Sequence, residues 1–160
     1  MMFEVSNETL LECTPAQLWE ALVNFGQYER WNPYVRPKGI PSRGQEVPYW
    51  LRMKPDKPGF WRVSAIVTEL EPRARLAFDV KLSWLLSVEE RYVLERRPQG
   101  TLLIHSFRCK GLIARLRLNK ARRNFEGILS ETDRFLARYM SRLQAKPIPK
   151  AKHPKNGRRR

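Results

Sequence analysis

The sequence predicts an α+β domain in which a curved antiparallel sheet wraps around one long C-terminal helix. Three observations predict it. From about Leu112 to Leu143, apolar residues recur at spacings of three and four, and no proline interrupts them. Upstream, six stretches alternate apolar and polar residues with period two. Five of those six follow one another without an intervening helix, the order that gives an antiparallel sheet with helices segregated to one face. At 160 residues the chain has the length of one domain with one sizeable core.

The first strand covers residues 3–13. Phe3, Val5, Asn7, Thr9, Leu11 and Cys13 point to one side, while Glu4, Glu8 and Glu12 share the other. Thr14-Pro15 then starts a helix, threonine suiting the N-cap and proline the first turn. Leu18, Trp19, Leu22, Val23 and Phe25 give that helix its apolar face, and Gly26 is expected to stop it. A second short helical region, Tyr28 to Tyr34, leads into a loop running to Gly44.

Strand two is expected over 46–54, with Val47, Tyr49, Leu51 and Met53 on one face; Pro48 suggests a sheet edge. Lys54-Pro55-Asp56-Lys57-Pro58-Gly59 is turn chemistry. Strand three (60–70) sets Trp61, Val63, Ala65 and Val67 inward. Strand four does the same with Leu76, Phe78, Val80, Leu82 and Trp84, strand five with Val88, Glu90, Tyr92 and Leu94, and strand six with Leu103, His105, Phe107 and Cys109. Gly111 releases the chain into the helix, which at roughly 1.5 Å per residue is about 45 Å long. Its stripe includes Phe125, Ile128, Leu129, Thr132, Leu136 and Met140.

The net charge is +15, and seven of those charges fall in the last fifteen residues, which leaves +8 on the rest. A field of that strength attracts polyanions. Two cysteines, Cys13 and Cys109, form neither a disulfide framework nor a metal signature, and read as buried small hydrophobes. No run approaches the roughly 20 apolar residues of a membrane span, and the N-terminus lacks a secretory pattern. A cytoplasmic protein with no transmembrane segment, no metal and no cofactor is expected. Two units are predicted: a domain over 1–145 and a disordered basic tail over 146–160.

Four pieces of sequence resemble a known superfamily. They are Leu11-Glu12-Cys13-Thr14-Pro15-Ala16-Gln17-Leu18-Trp19, Trp31-Asn32-Pro33, Val67-Thr68-Glu69-Leu70-Glu71-Pro72 with Leu76-Ala77-Phe78, and Gly100-Thr101 with His105-Ser106-Phe107-Arg108-Cys109-Lys110-Gly111. In this order they look like the START-like, or SRPBCC, superfamily, above all its polyketide cyclase/dehydrase and lipid-transport group. The resemblance covers residues 3–143 and implies the helix-grip fold: about six curved strands around the long helix, two short helices after strand one, and an apolar cavity between sheet and helix. It says nothing about the tail. It implies binding or carriage of a small hydrophobic molecule such as a lipid, polyketide or aromatic compound. The inward faces then name the lining as Tyr49, Trp61, Val63, Phe78, Val80, Glu90, Tyr92, His105 and Phe107, with Trp31 as a lid or an aromatic plug and Phe125, Ile128 and Thr132 from the helix.

Glu90 and His105 are the two inward polar groups of strands five and six. A carboxylate beside an imidazole is an acid–base arrangement, and cyclases of the superfamily perform enolisation and dehydration. The competing reading is a pair that satisfies itself or hydrogen-bonds the ligand. No serine or cysteine nucleophile has an evident base. A third expectation concerns anions. Lys120, Arg123, Arg134, Arg138 and Arg142 of the helix, with Arg158, Arg159 and Arg160 of the tail, are candidates for backbone-type contact with nucleic acid, ribosome or an anionic membrane. Glu126, Glu131 and Asp133 are read as acids that offset part of that basic face.

Overall fold

The computed structural model describes residues 2–111 and 118–145. Seven strands form one antiparallel sheet: β1 (Met2–Leu11), β2 (Val35–Pro37), β3 (Glu46–Leu51), β4 (Trp61–Glu71), β5 (Arg75–Ser83), β6 (Leu86–Arg97) and β7 (Gly100–Gly111). Their spatial order is β1-β7-β6-β5-β4-β3-β2, so the first strand closes one edge beside the last. Between β1 and β2 lie α1 (Pro15–Val23) and a 3₁₀ helix (Phe25–Arg30); α2 (Leu118–Gln144) ends the described chain. The expected α+β helix-grip arrangement is what the chain adopts, with the sheet curled into a half-barrel. The expected tail, with Arg158, Arg159 and Arg160, and the first residues of the expected long helix, 112–117, lie outside the described residues.

Seven strands rather than about six follow from β2, which falls in the stretch expected to be loop. It is three residues long, too short for any alternation to show. It forms because Val35, Arg36 and Pro37 pair with Leu51, Trp50 and Tyr49. Pro48 is therefore not on an edge strand. Its carbonyl accepts from the Lys38 N–H at 2.9 Å, and its missing N–H points the same way, so regular pairing stops at Pro37.

The first helix is set as its sequence dictates. The Gln17 N–H donates to Thr14 Oγ1 at 3.2 Å and the Thr14 N–H to Gln17 Oε1 at 3.0 Å, a reciprocal capping box with Pro15 in the first turn. Thr14→Ala is expected to cost about 1 kcal/mol in urea unfolding, with an unchanged ligand profile; no loss would mean the cap is redundant. The helix ends at Val23, before Gly26, because the chain tightens at Asn24 into the 3₁₀ turn. That turn is pinned by the Tyr28 hydroxyl donating to the Leu22 carbonyl at 2.5 Å.

The core has two parts. One packs α1 and the 3₁₀ helix onto the sheet and the C-terminal half of α2, through residues such as Leu18, Leu22, Phe25, Phe78, Leu103 and Leu136. The other joins Phe3, Val5, Val88, Phe107 and Cys109 to Phe125, Ile128 and Leu129 of α2. Val35 and Leu82 pack on both. Outside the sheet, Arg91 reaches over buried Ala77 to Glu69 at 3.2 Å and also pairs with Glu89 at 3.1 Å. These pairs are partly solvated and contribute little to stability.

Two tryptophans expected inside are not. Trp84 sits at the tip of the β5–β6 hairpin, where Ser83 pairs with Leu86, and is 92% exposed. Trp61 shares the alternation of Val63 but stands at the very start of β4, and is 44% exposed. Alternation names a face; it does not tell where along the strand the covering helix stops.

Candidate functional site

The adjacent strands β6 and β7 bring Glu90 and His105 together on the inner face. In register, His105 lies opposite Tyr92 on one side and Asn7 of β1 on the other, while Glu90 lies opposite Phe107. The histidine–glutamate contact is thus diagonal, and it is close: His105 Nε2 to Glu90 Oε1 is 2.9 Å. The other ring nitrogen, Nδ1, is 2.7 Å from Asp133 Oδ1 of α2. His105 is fully buried, Asp133 is 1% exposed and Glu90 3%. Asp133 is therefore not an acid of the solvated helix face. It is bolted to the sheet by His105 and by Asn7, whose Nδ2 donates to Asp133 Oδ2 at 2.8 Å.

Glu90 is held from three sides. Oε1 also accepts from the Tyr92 hydroxyl and Oε2 from the Tyr49 hydroxyl, each at 2.8 Å. The imidazole stacks on the Tyr92 ring, 4.1 Å between centroids, and meets the Phe107 ring edge-on at 5.4 Å. Burial alone would strip the charge from such groups. For His105 the charges and hydrogen bonds of Asp133 and Glu90 outweigh it, and the imidazolium pKa is raised to about 9. Burial pushes Glu90 up, but the His105 hydrogen bond and charge and the two tyrosine hydroxyls prevail and hold it below the usual carboxylate range. The tyrosines pay in the opposite sense: burial, then the Glu90 charge, push Tyr28, Tyr49 and Tyr92 well above their ordinary range. The result is an imidazolium bridging two carboxylates, with every polar atom of Glu90 and Asp133 in use.

A cleft runs along the seam between the two core parts. It is lined by Tyr34, Val35, Tyr49, Leu51, Arg52, Met53, Val80, Leu82, Val88, Glu90, Phe107, Phe125 and Ile128. Its wall is apolar apart from the Glu90 carboxylate, two tyrosines and Arg52. The Arg52 guanidinium donates to the Pro33 carbonyl at 2.7 Å and lies 4.6 Å over the Phe60 ring. The open volume is only about 50 Å³, room for a few waters.

Of the residues expected to line a cavity, Tyr49, Val80, Glu90, Phe107, Phe125 and Ile128 do face this cleft. Val63, Phe78, Tyr92, His105 and Thr132 are buried behind it. Trp31 is a plug: 2% exposed, with its ring 4.4 Å from that of Tyr28 and its indole N–H unpartnered among the described residues. Trp61 lies outside, as described above. On α2, Lys120, Arg123, Arg134, Arg138 and Arg142 are all exposed. Arg134 and Arg138 lie 5.8 and 5.9 Å from the Phe135 ring centre. Burial raises the thiol of Cys13, and pushes that of Cys109 up to about 12; neither is disposed to act as a nucleophile. Among the described residues, no group of three acidic, histidine or cysteine side chains is placed to hold a metal ion, and no helix is long and apolar enough to cross a membrane.

Residues 2–143 match the family model for polyketide cyclase/dehydrase and lipid transport proteins. The chain belongs to that family. Among solved structures it resembles a Mesorhizobium loti protein at TM-score 0.71 and 19% identity, over 88% of this chain and 98% of the other. A START superfamily protein from Mycobacterium smegmatis gives TM-score 0.71 at 13% identity, over 88% and 98%. Ara h 8.0201 gives 0.62 at 13%, over 89% and 99%. At such identities the likeness is one of fold. No curated protein matches the chain in sequence. The family domain thus carries the buried Asp133–His105–Glu90 bridge and the apolar cleft on a helix-grip frame.

Proposed function

We propose that this domain binds a small, largely apolar molecule that bears a hydrogen-bond donor, such as a phenol or other hydroxyl, in the cleft between the sheet and α2. The observation that carries this reading is Glu90 set into a mainly aliphatic and aromatic wall, with Tyr34, Tyr49 and Arg52 its other polar members. A site of that kind recognises shape through its apolar surface and orientation through one polar contact. Ligand sites commonly measure about 300–1,000 Å³, so entry must widen the cleft. Met53, exposed where it lines the cleft, is the side chain free to move aside, whereas Arg52 would first have to release the Pro33 carbonyl.

Binding is favoured over acid–base catalysis by the state of the bridge. A protonated His105 has no lone pair with which to take a proton, both its N–H groups are committed, and it stands behind the cleft wall. Glu90 does reach the wall, but a carboxylate held below its usual range is a poor base near neutral pH. The network therefore fixes a charge and does not shuttle protons.

Native mass spectrometry of freshly purified protein, followed by titration with hydroxylated flavonoids, aromatic polyketides and fatty alcohols, tests the proposal. Retention of one class is expected. Ile128→Trp, which fills the cleft from the helix side, should lower affinity on the order of tenfold or more while the fold survives. If no class binds the wild-type protein, or the filled variant binds equally well, the cleft is not a ligand site.

A further inference from the structure

The antiparallel sheet gathers several separate features at one end. The β3–β4 loop (52–60), the β5–β6 tip at Trp84-Leu85, the start of β1 and the end of β7 all lie there, since Leu51 pairs with Trp61, Ser83 with Leu86, Leu86 with Gly111 and Met2 with Lys110. The first turns of α2 lie there too, where Arg122 sits 5.8 Å from the Phe3 ring centre. Arg52, Met53 and Phe125, three of the residues that line the cleft, belong to this end.

This end is apolar at its tips and basic around them. Met2, Met53, Trp61 and Trp84 are 59%, 36%, 44% and 92% exposed. Arg52, Lys54, Lys57 and Arg62 flank the β3–β4 loop against one acid, Asp56. Lys120, Arg122 and Arg123 follow on α2, whose first turn contains no acid. The opposite end of the sheet exposes Leu10, Ile40 and Leu143 but no aromatic residue.

The geometry points to this end as a docking face for an anionic lipid surface, with Trp84 and Met53 entering the headgroup layer and the lysines and arginines meeting lipid phosphates. An exposed tryptophan on a tight hairpin is costly in water and favoured at a membrane–water interface. Each basic residue near an anionic leaflet adds to the attraction, and apolar burial adds to it independently. Nucleic acid would use the cations but has no use for two exposed methionines. Docking here does not require that the cleft hold a ligand.

Co-sedimentation of the full chain with vesicles of phosphatidylcholine alone, and with about 30% phosphatidylglycerol added, tests this. Binding to the anionic vesicles is expected, and weaker binding to the neutral ones. Trp84→Ser should reduce it on the order of tenfold, and Lys54→Glu with Lys57→Glu by a similar factor. Both sites are exposed, so melting temperatures should stay unchanged. Ile40→Ser, at the opposite end, should bind as the wild type does. Vesicle binding that survives Trp84→Ser, or that falls equally with Ile40→Ser, would overturn the proposal. So would affinity for duplex RNA or DNA, lost with the lysines but not with Trp84, in a protein that ignores vesicles.

Discussion

Asp133→Ala is expected to destabilise the protein by about 3–5 kcal/mol, the usual cost of removing one partner from a buried ion pair. Asp133 is the only link in the bridge that comes from α2; His105, Glu90 and Asn7 all belong to the sheet. Its loss leaves the fully buried His105 Nδ1–H without an acceptor and takes from the Asn7 amide one of its two, the other being the Thr9 hydroxyl at 3.2 Å. A charge is also left with one counter-charge where it had two. By contrast, Glu131→Ala, two positions earlier on the same helix, removes a 2.6 Å hydrogen bond from the Tyr34 hydroxyl at a partly solvated site. That loss is expected to be about 1 kcal/mol. Urea unfolding of both variants beside the wild type makes the comparison. Equal, small losses would mean that the bridge is not the clamp between sheet and helix.

The faces of the elements were legible in the sequence because burial imposes a period. Two-residue alternation put Glu90, His105 and Asn7 inward, and the 3.6-residue period put Leu129, Thr132 and Leu136 on the buried stripe. Asp133 was legible by the same rule, since it lies four residues after Leu129, yet its charge argues for the solvated face. Hydropathy has no means of telling a buried aspartate from an exposed one; the partners that offset its burial are His105, 28 residues away, and Asn7, 126 residues away. Strand β2 left no pattern because three residues, the last of them Pro37, show no alternation. It is fixed from outside, by pairing with β3 and by Phe60, against which Arg36 and Arg52 lie at 4.9 and 4.6 Å. The width of the cleft was not readable either. Alternation says which side chains face one another across the interior, whereas the space between them depends on how their volumes and the curl of the sheet add up.

Stability is expected to fall by about 3 kcal/mol as pH rises from near 6.5 to about 9, the span between the ordinary and the folded-state pKa of His105. The folded protein holds the proton more tightly than the unfolded chain, so the gain is complete below the unfolded value and is lost as pH climbs through the folded one. Glu90 acts in the opposite direction. Its folded pKa lies below the ordinary 4.5, so its contribution is present above that value and is lost on acidification. The bridge is therefore strongest in mildly acidic solution, between the two ordinary values. The groups that set the His105 pKa are Asp133 from α2 and Glu90 from β6, with the neutral Tyr92 ring stacked on the imidazole. Unfolding free energies at successive pH values should decline with a slope of at most about 1.4 kcal/mol per unit. A direct measurement is available because the chain has only two histidines, His105 and His153. In His153→Ala, the remaining imidazole resonances report His105 alone. A midpoint well above 6.5 is expected for the intact protein, moving down in Asp133→Asn as one counter-charge is removed. A midpoint at or below 6.5 in the intact protein would mean that the histidine is neutral, and the charged bridge between the sheet and α2 would have to be abandoned.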